Sequence, residues 1–209
     1  MGLLLHSYRR CPFAMRVRMV LEEKGLRYQV FEENFSNFSE DLLRLHPEGK
    51  VPLLIHDGIP IHESSVITEY LDEKFPEPAL MPRDPAARAQ VRLWTHWADQ
   101  ILKPDLDAFK YEWKDLEPEK KSALQIRLQK RVQELAHALQ NRPYLMGENL
   151  TLADIHVFPF YRQLQKSRPD FEALIVPAPA VNAWLNALIS RPTFEKVMKK
   201  RVQGLNLEE

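Results

Sequence analysis

Between positions 76 and 85 the chain carries Pro76, Pro78, Pro82 and Pro85. A proline removes a backbone donor and clashes with the turn before it, so neither helix nor strand runs through that spacing. The chain is thereby cut in two, with a linker over 77–85, and the hydrophobic pattern changes across the cut. Before it, short apolar runs alternate with helical periods; after it, only helical periods remain. The expected architecture is a mixed α/β domain over 1–76 followed by an all-helical domain over 86–209, enough chain to bury a real core.

The first half reads βαβαββα. Leu3-Leu4-Leu5 suits a buried strand. Pro12 opens a helix to about Lys24 in which Phe13, Val17, Val20 and Leu21 share a face, and Gly25 ends it. Tyr28 to Phe31 makes a second strand, and Ser39 caps a short helix that Pro47 stops. Asp57-Gly58 is a two-residue hairpin signal joining Leu53-Leu54-Ile55 to Ile59-Pro60-Ile61. A third helix runs from Glu63-Ser64-Ser65 to Phe75, with Ser64 or Ser65 available as its N-cap.

In the second half, Val91, Trp94, Trp97, Ala98, Ile101 and Leu102 form one stripe, and Leu124, Leu128, Val132, Leu135 and Leu139 another. Thr151-Leu152-Ala153-Asp154 has the form of a capping box, with Pro159 expected to kink the helix that follows or to lie outside its regular part. Val181, Trp184, Leu185 and Leu188 mark a further helix that ends before Arg191-Pro192, and Phe194, Val197 and Met198 mark a last one. The charged tail from Lys199 onward is expected to be solvated and frayed.

Chemistry points to Cys11, the single cysteine. It falls where the first strand hands over to the first helix, so it is the expected N-cap. There the unpaired N–H groups and the helix dipole, with Arg9 and Arg10 beside it, favour a thiolate. Position 14, where a resolving cysteine would stand, is Ala14, so any disulfide must be intermolecular and redox work needs an external thiol such as glutathione. The plainer alternative is a buried, inert cysteine. The seven histidines show no metal-ligand spacing with the cysteine, and no metal is expected.

Lys plus Arg and Asp plus Glu are 29 each, which argues against a nucleic-acid groove or an anionic membrane surface. No apolar stretch is long enough to span a bilayer, and a lone cysteine suits a reducing compartment, so a cytoplasmic protein is expected.

The motifs together resemble the cytosolic glutathione transferases, and among them the cysteine-type, omega-like class. The resemblance rests on Cys11-Pro12-Phe13-Ala14 with Arg16 and Arg18, on Gly49-Lys50-Val51-Pro52, Glu63-Ser64 and Glu69-Tyr70-Leu71-Asp72, and on the proline linker and Tyr144-Leu145-Met146-Gly147 leading into Thr151. It implies a thioredoxin-like N-terminal domain, an all-helical second domain, and glutathione as co-substrate. By resemblance, Val51 ahead of a cis Pro52 pairs its backbone with the cysteinyl part of glutathione, Glu63 and Ser64 grip the γ-glutamyl end, and Lys50 reaches the glycyl carboxylate. The implied activity is thiol transfer or dehydroascorbate reduction through a mixed disulfide at Cys11, with a small apolar or disulfide co-substrate and a two-fold homodimer.

Two alternatives stay open. Many members of that family use a tyrosine or serine hydroxyl near the end of the first strand, where Ser7 and Tyr8 stand. The region from Tyr70 through Ala89 also resembles stringent starvation protein A, an RNA-polymerase-associated relative, which implies an interaction module without catalysis. Trp94, Trp97, Tyr111 and Trp113 are candidates to line the co-substrate pocket, with core packing the other reading of Trp94 and Trp97.

Overall fold

A computed structural model describes residues 2–140, 142–176, 178–204 and 206–208. The chain forms two compact units, residues 1–79 together with 191–209, and residues 80–190. The division differs from the sequence expectation at one end, because the last helix and the tail join the first unit.

In the first unit, β1 (Leu3–Ser7) is followed by α1 (Pro12–Glu23), β2 (Gln29–Glu32), α2 (Glu40–Leu45), β3 (Leu53–His56), β4 (Ile59–His62) and α3 (Ser64–Lys74). The sheet order is β4-β3-β1-β2-β5, where β5 is Asn206–Glu208. β1 and β2 are parallel, with α1 as the crossover, and the other pairs are antiparallel. Leu5 pairs with Val30 on one side and Leu54 on the other, and all three are fully buried, so this row forms core on one face of the sheet's centre. Asp57 and Gly58 both have positive φ, as a two-residue hairpin that follows the strand twist requires.

α1 ends as the sequence predicts. Gly25 has φ +61, its N–H reaches Glu22 O, and the Leu26 N–H reaches Leu21 O, which is the paired bonding of a Schellman stop. Lys24, next to it, is buried, ion-pairs with Asp72 at 2.7 Å, and donates to Phe75 O and Pro78 O. The first half of the proline stretch is thus tied down rather than loose.

The tail corrects the expectation of a solvated, frayed end. α10 (Pro192–Val197) packs on α1, burying Phe194 and Val197, and β5 pairs with the outer edge of β2. The Gly204 N–H donates to Glu32 O, and Arg201 is buried. Strand pairing gives the tail's polar backbone partners that its composition does not advertise. Leu205 and Glu209 lie outside the described residues.

Glu23 holds α10 in place, accepting from Arg191 Nε and Nη2 at 2.7 and 2.6 Å and from Thr193 Oγ1 at 2.5 Å. Arg191 is about a third exposed, so solvent screens part of this pair. Glu23→Ala is expected to cost about 1–2 kcal/mol, read as a lower urea midpoint. A midpoint unchanged from that of the parent chain would show that α10 is held by its apolar contacts alone.

The second unit is helical. α4 (Pro85–His96), capped by Asp84 through the Ala87 N–H at 2.8 Å, runs into a π-helical segment, Trp97–Leu102. α5 (Lys103–Asp107), a second π-helical segment (Ala108–Glu112) and a 3₁₀ turn continue it. α6 (Pro118–Ala138), α7 (Leu152–Gln165), α8 (Phe171–Leu174) and α9 (Pro179–Ile189) complete the unit. α7 is its centre, buried on every side from Leu152 to Tyr161. Pro159 lies inside this helix rather than outside it, where packing all round outweighs one lost ladder bond. Among the described residues no helix is long and apolar enough to cross a membrane.

Candidate functional site

Cys11 occupies the N-cap position of α1, in extended conformation, with Pro12 at the first helical position and no acidic side chain in the first turn. Its N–H is bonded to Tyr8 O at 2.9 Å, which closes the strand-to-helix corner. The sulfur is partly buried and lies 3.9 Å from Val51 O. The Val51–Pro52 bond is cis. Cys11 and Tyr8 also pack against the buried cluster of Leu42, Val51 and Leu53. The fold therefore brings Cys11, Val51 and Pro52 together from positions forty residues apart in sequence.

Two fully buried arginines stand behind this corner. Arg18 Nη1 donates to Ser7 Oγ at 2.9 Å and Nη2 to Arg9 O at 2.7 Å, and its charge interacts with those of Glu32 and Cys11. Burial lowers its pKa to about 10, which leaves it a cation at neutral pH. Arg16 Nη1 donates to Ser64 Oγ at 3.2 Å, linking α1 to the start of α3. The resemblance carried both arginines without a role. Two cations inside the apolar run from Phe13 to Leu21 were the available signal, since a charge is kept in a core only when it is paired.

The start of α3 differs from expectation. Neither Ser64 nor Ser65 is the N-cap; that position is Glu63, with φ 66, ψ 116 and no side-chain cap bond, and Ser64 is the first helical residue. Positive φ in a glutamate is uncommon and costs on the order of 1–3 kcal/mol, so the surrounding structure must impose it. The Glu63 carboxylate is left exposed and the Ser64 hydroxyl buried. Lys50 is exposed and ion-paired with Glu48, within electrostatic reach of Glu63.

Ser7 and Tyr8 are both engaged. The Ser7 side chain is fully buried and accepts from Arg18, while the Tyr8 hydroxyl accepts from Arg10 Nε and Nη2 at 3.0 and 2.6 Å. In the helical unit Trp94 and Trp97 are half-buried and meet edge to face at 5.4 Å, and Trp97 donates to Glu134. Trp113 packs against Phe109 under the Arg168 guanidinium, and Tyr111 is exposed.

One grouping was not visible in the sequence. His46, His62 and Glu63 come within 4.8 Å of one another, and burial, then His62, lowers the His46 pKa. His46 Nδ1 accepts from the Glu48 N–H at 3.1 Å, so the neutral ring carries its proton on Nε2 and has no second lone pair for an ion. The trio reads as the frame of the Glu63 turn.

Residues 5–79 match the model of the glutathione S-transferase N-terminal domain, and residues 98–192 that of its C-terminal domain. Glutathione S-transferase 3 of Glycine max is 32% identical over 206 residues, covering 94% of this chain and 90% of that protein. A stringent starvation protein A homologue of Haemophilus influenzae is 33% identical, covering 87% of this chain and 83% of its own length. Among solved structures, a Tau-class glutathione S-transferase from mango, Mangifera indica, aligns with a TM-score of 0.83 at 27% identity, covering 95% of this chain and 93% of its own. A glutathione transferase Omega 3C from Trametes versicolor aligns at 0.81 and 27%, covering 98% and 92%. The omega-like class is therefore not singled out within the family. With a thioredoxin-like sheet domain, an all-helical unit and a relative a third identical over nearly its whole length, the chain belongs to the glutathione S-transferase family.

Proposed function

We propose that the chain is a glutathione-dependent thiol transferase of the cysteine type, with Cys11 as the nucleophile. The observation that carries this reading is the position of Cys11 Sγ, at a helix N-terminus and 3.9 Å from the carbonyl of Val51, beside a cis proline. A helix N-terminus and the buried Arg18 charge both favour a thiolate, the attacking form.

In the proposed cycle the Cys11 thiolate attacks the glutathione sulfur of a glutathionylated substrate. The Cys11–glutathione bond forms, the substrate sulfur leaves as a thiolate, and a second glutathione thiolate then attacks the mixed disulfide, releasing oxidised glutathione and the Cys11 thiolate. Val51 would pair its backbone with the cysteinyl part of glutathione, as an added strand does. Glu63 would take the γ-glutamyl ammonium. The Ser64 hydroxyl and the uncapped first turn of α3 would take its carboxylate, and Lys50 the glycyl carboxylate. Dehydroascorbate reduction is a related use of the same thiol. A homodimer and a cytoplasmic location, where reduced glutathione is abundant, complete the proposal.

Calorimetric titration of the reduced protein with glutathione tests the grip. Saturable binding in the micromolar to low millimolar range is expected. It should weaken by about 100-fold when Glu63 and Ser64 are both changed to alanine, since two charge-assisted contacts are lost. The similarity to the Haemophilus influenzae protein favours a second reading, an interaction module without catalysis. Absence of heat from the folded protein at several millimolar glutathione would select it.

A further inference from the structure

The corner that holds Cys11 also forms one wall of a second feature. A cleft of about 580 Å³ is lined by Tyr8, Arg9, Arg10 and Glu32 on one side and by the tail, Lys200 to Gln203, on the other. Its wall ends at Arg10, the residue before Cys11. Four cationic side chains, Arg9, Arg10, Lys200 and Arg201, line it against one carboxylate, in a chain whose charges otherwise cancel. That carboxylate is engaged through one oxygen, while Oε2 is buried without a hydrogen-bond partner among the described residues. Glu32 is buried, accepts from the Arg9 N–H at 2.6 Å through Oε1, and interacts with the charge of the buried Arg18 behind it. The lining cations outnumber the lining carboxylate four to one.

Solvated surface charge does not account for this arrangement, because Arg201 is 6% exposed and lies close enough to Arg18 for the two like charges to repel. The tail is held where it is by the β5 pairing and by the Gly204 N–H on Glu32 O. Tyr8, against whose ring Arg10 lies at 5.6 Å, supplies an aromatic wall.

We propose that this cleft receives the non-glutathione half of the disulfide substrate, and that it selects small acceptors carrying a carboxylate or another anionic group. The proposal rests on the reading of Cys11 as the attacking thiol. When the Cys11–glutathione bond forms, the substrate's S–S bond breaks and its sulfur departs as a thiolate, itself an anion that later takes a proton from solvent. The cationic wall thus favours both the bound anion and the developing charge.

The test uses three mixed disulfides of glutathione that differ only in charge at the far end: those with mercaptopropionate, mercaptoethanol and cysteamine. kcat/KM is expected to fall in that order, by about tenfold between the ends at low salt, and the spread should shrink as salt is added. Lys200→Glu, an exposed position, should lower the carboxylate substrate about fivefold, raise the ammonium one, and leave the hydroxyl one within about twofold. Equal rates for all three in the parent protein would overturn the proposal, as would a Lys200→Glu loss shared by all three. Turnover of none of them would overturn the reading of Cys11 instead. The cleft is then judged by binding of methylthiopropionate against methylthioethylamine. A preference for the anion that Lys200→Glu removes upholds it, and no preference overturns it.

Discussion

Cys11→Ser is expected to reduce thiol transfer to background, a fall of about 10³-fold or more, equivalent to roughly 4 kcal/mol of transition-state stabilisation. A serine hydroxyl cannot form the mixed disulfide, and no other cysteine exists in the chain to substitute for it. Glutathione binding should change by no more than about twofold, because the proposed grip is made by Val51, Glu63 and Ser64. Tyr8→Phe should leave transfer within about threefold, since the Tyr8 hydroxyl is bonded to Arg10. Ser7→Ala would strip a buried acceptor from Arg18 and is expected to lower stability rather than chemistry. Activity retained by Cys11→Ser and lost in Ser7→Ala would reverse the assignment.

Asp154→Ala is expected to give the largest loss of stability, about 3–5 kcal/mol. The Asp154 carboxyl is fully buried and accepts from the backbone N–H groups of Leu145 and Thr151 at 2.8 and 3.0 Å, from Trp184 Nε1 at 3.0 Å, and from the Thr151 hydroxyl at 3.2 Å. It joins the loop before α7, the first turn of α7 and α9, so its removal leaves buried donors with nothing to accept them. Burial raises its pKa, with the four donors pulling the other way. The folded state therefore keeps this proton above the pH at which the unfolded chain releases it. The contribution is full below the ordinary aspartate value of 3.8 and is lost as pH rises through the raised one, and this part of the pH dependence should be missing from Asp154→Ala. Urea denaturation across that pH range reads both. A loss under about 1 kcal/mol would mean that apolar packing alone holds α7.

What the sequence made legible was local chemistry. Pro12 after Cys11, Gly25, Asp57-Gly58 and Thr151 with Asp154 each state a turn or cap within four residues, and each stands where its residue types require, whereas Pro85, read as linker, opens α4 behind an Asp84 cap. The misses are contacts between distant positions. A charged, glycine-containing tail reads as solvated until β2 offers it an edge to pair with. Arg16 and Arg18, carried by the resemblance without a role, are fully buried on α1, against which α3 and α10 pack. Serine is the usual cap, and only the backbone shows that Glu63 takes the position at positive φ. Cys11 was legible as a corner residue, while its approach to Val51 depends on β3 lying beside β1.

Folding is expected to activate Cys11. Because the chain has a single cysteine, the rate at which oxidised glutathione adds to it is read directly by intact-mass spectrometry. Measured at neutral pH in buffer and again in denaturing urea, the folded protein should react about tenfold faster or more, and reduced glutathione should reverse the adduct. A folded protein that reacts more slowly than the unfolded chain would identify Cys11 as a buried, inert thiol and contradict the proposed mechanism.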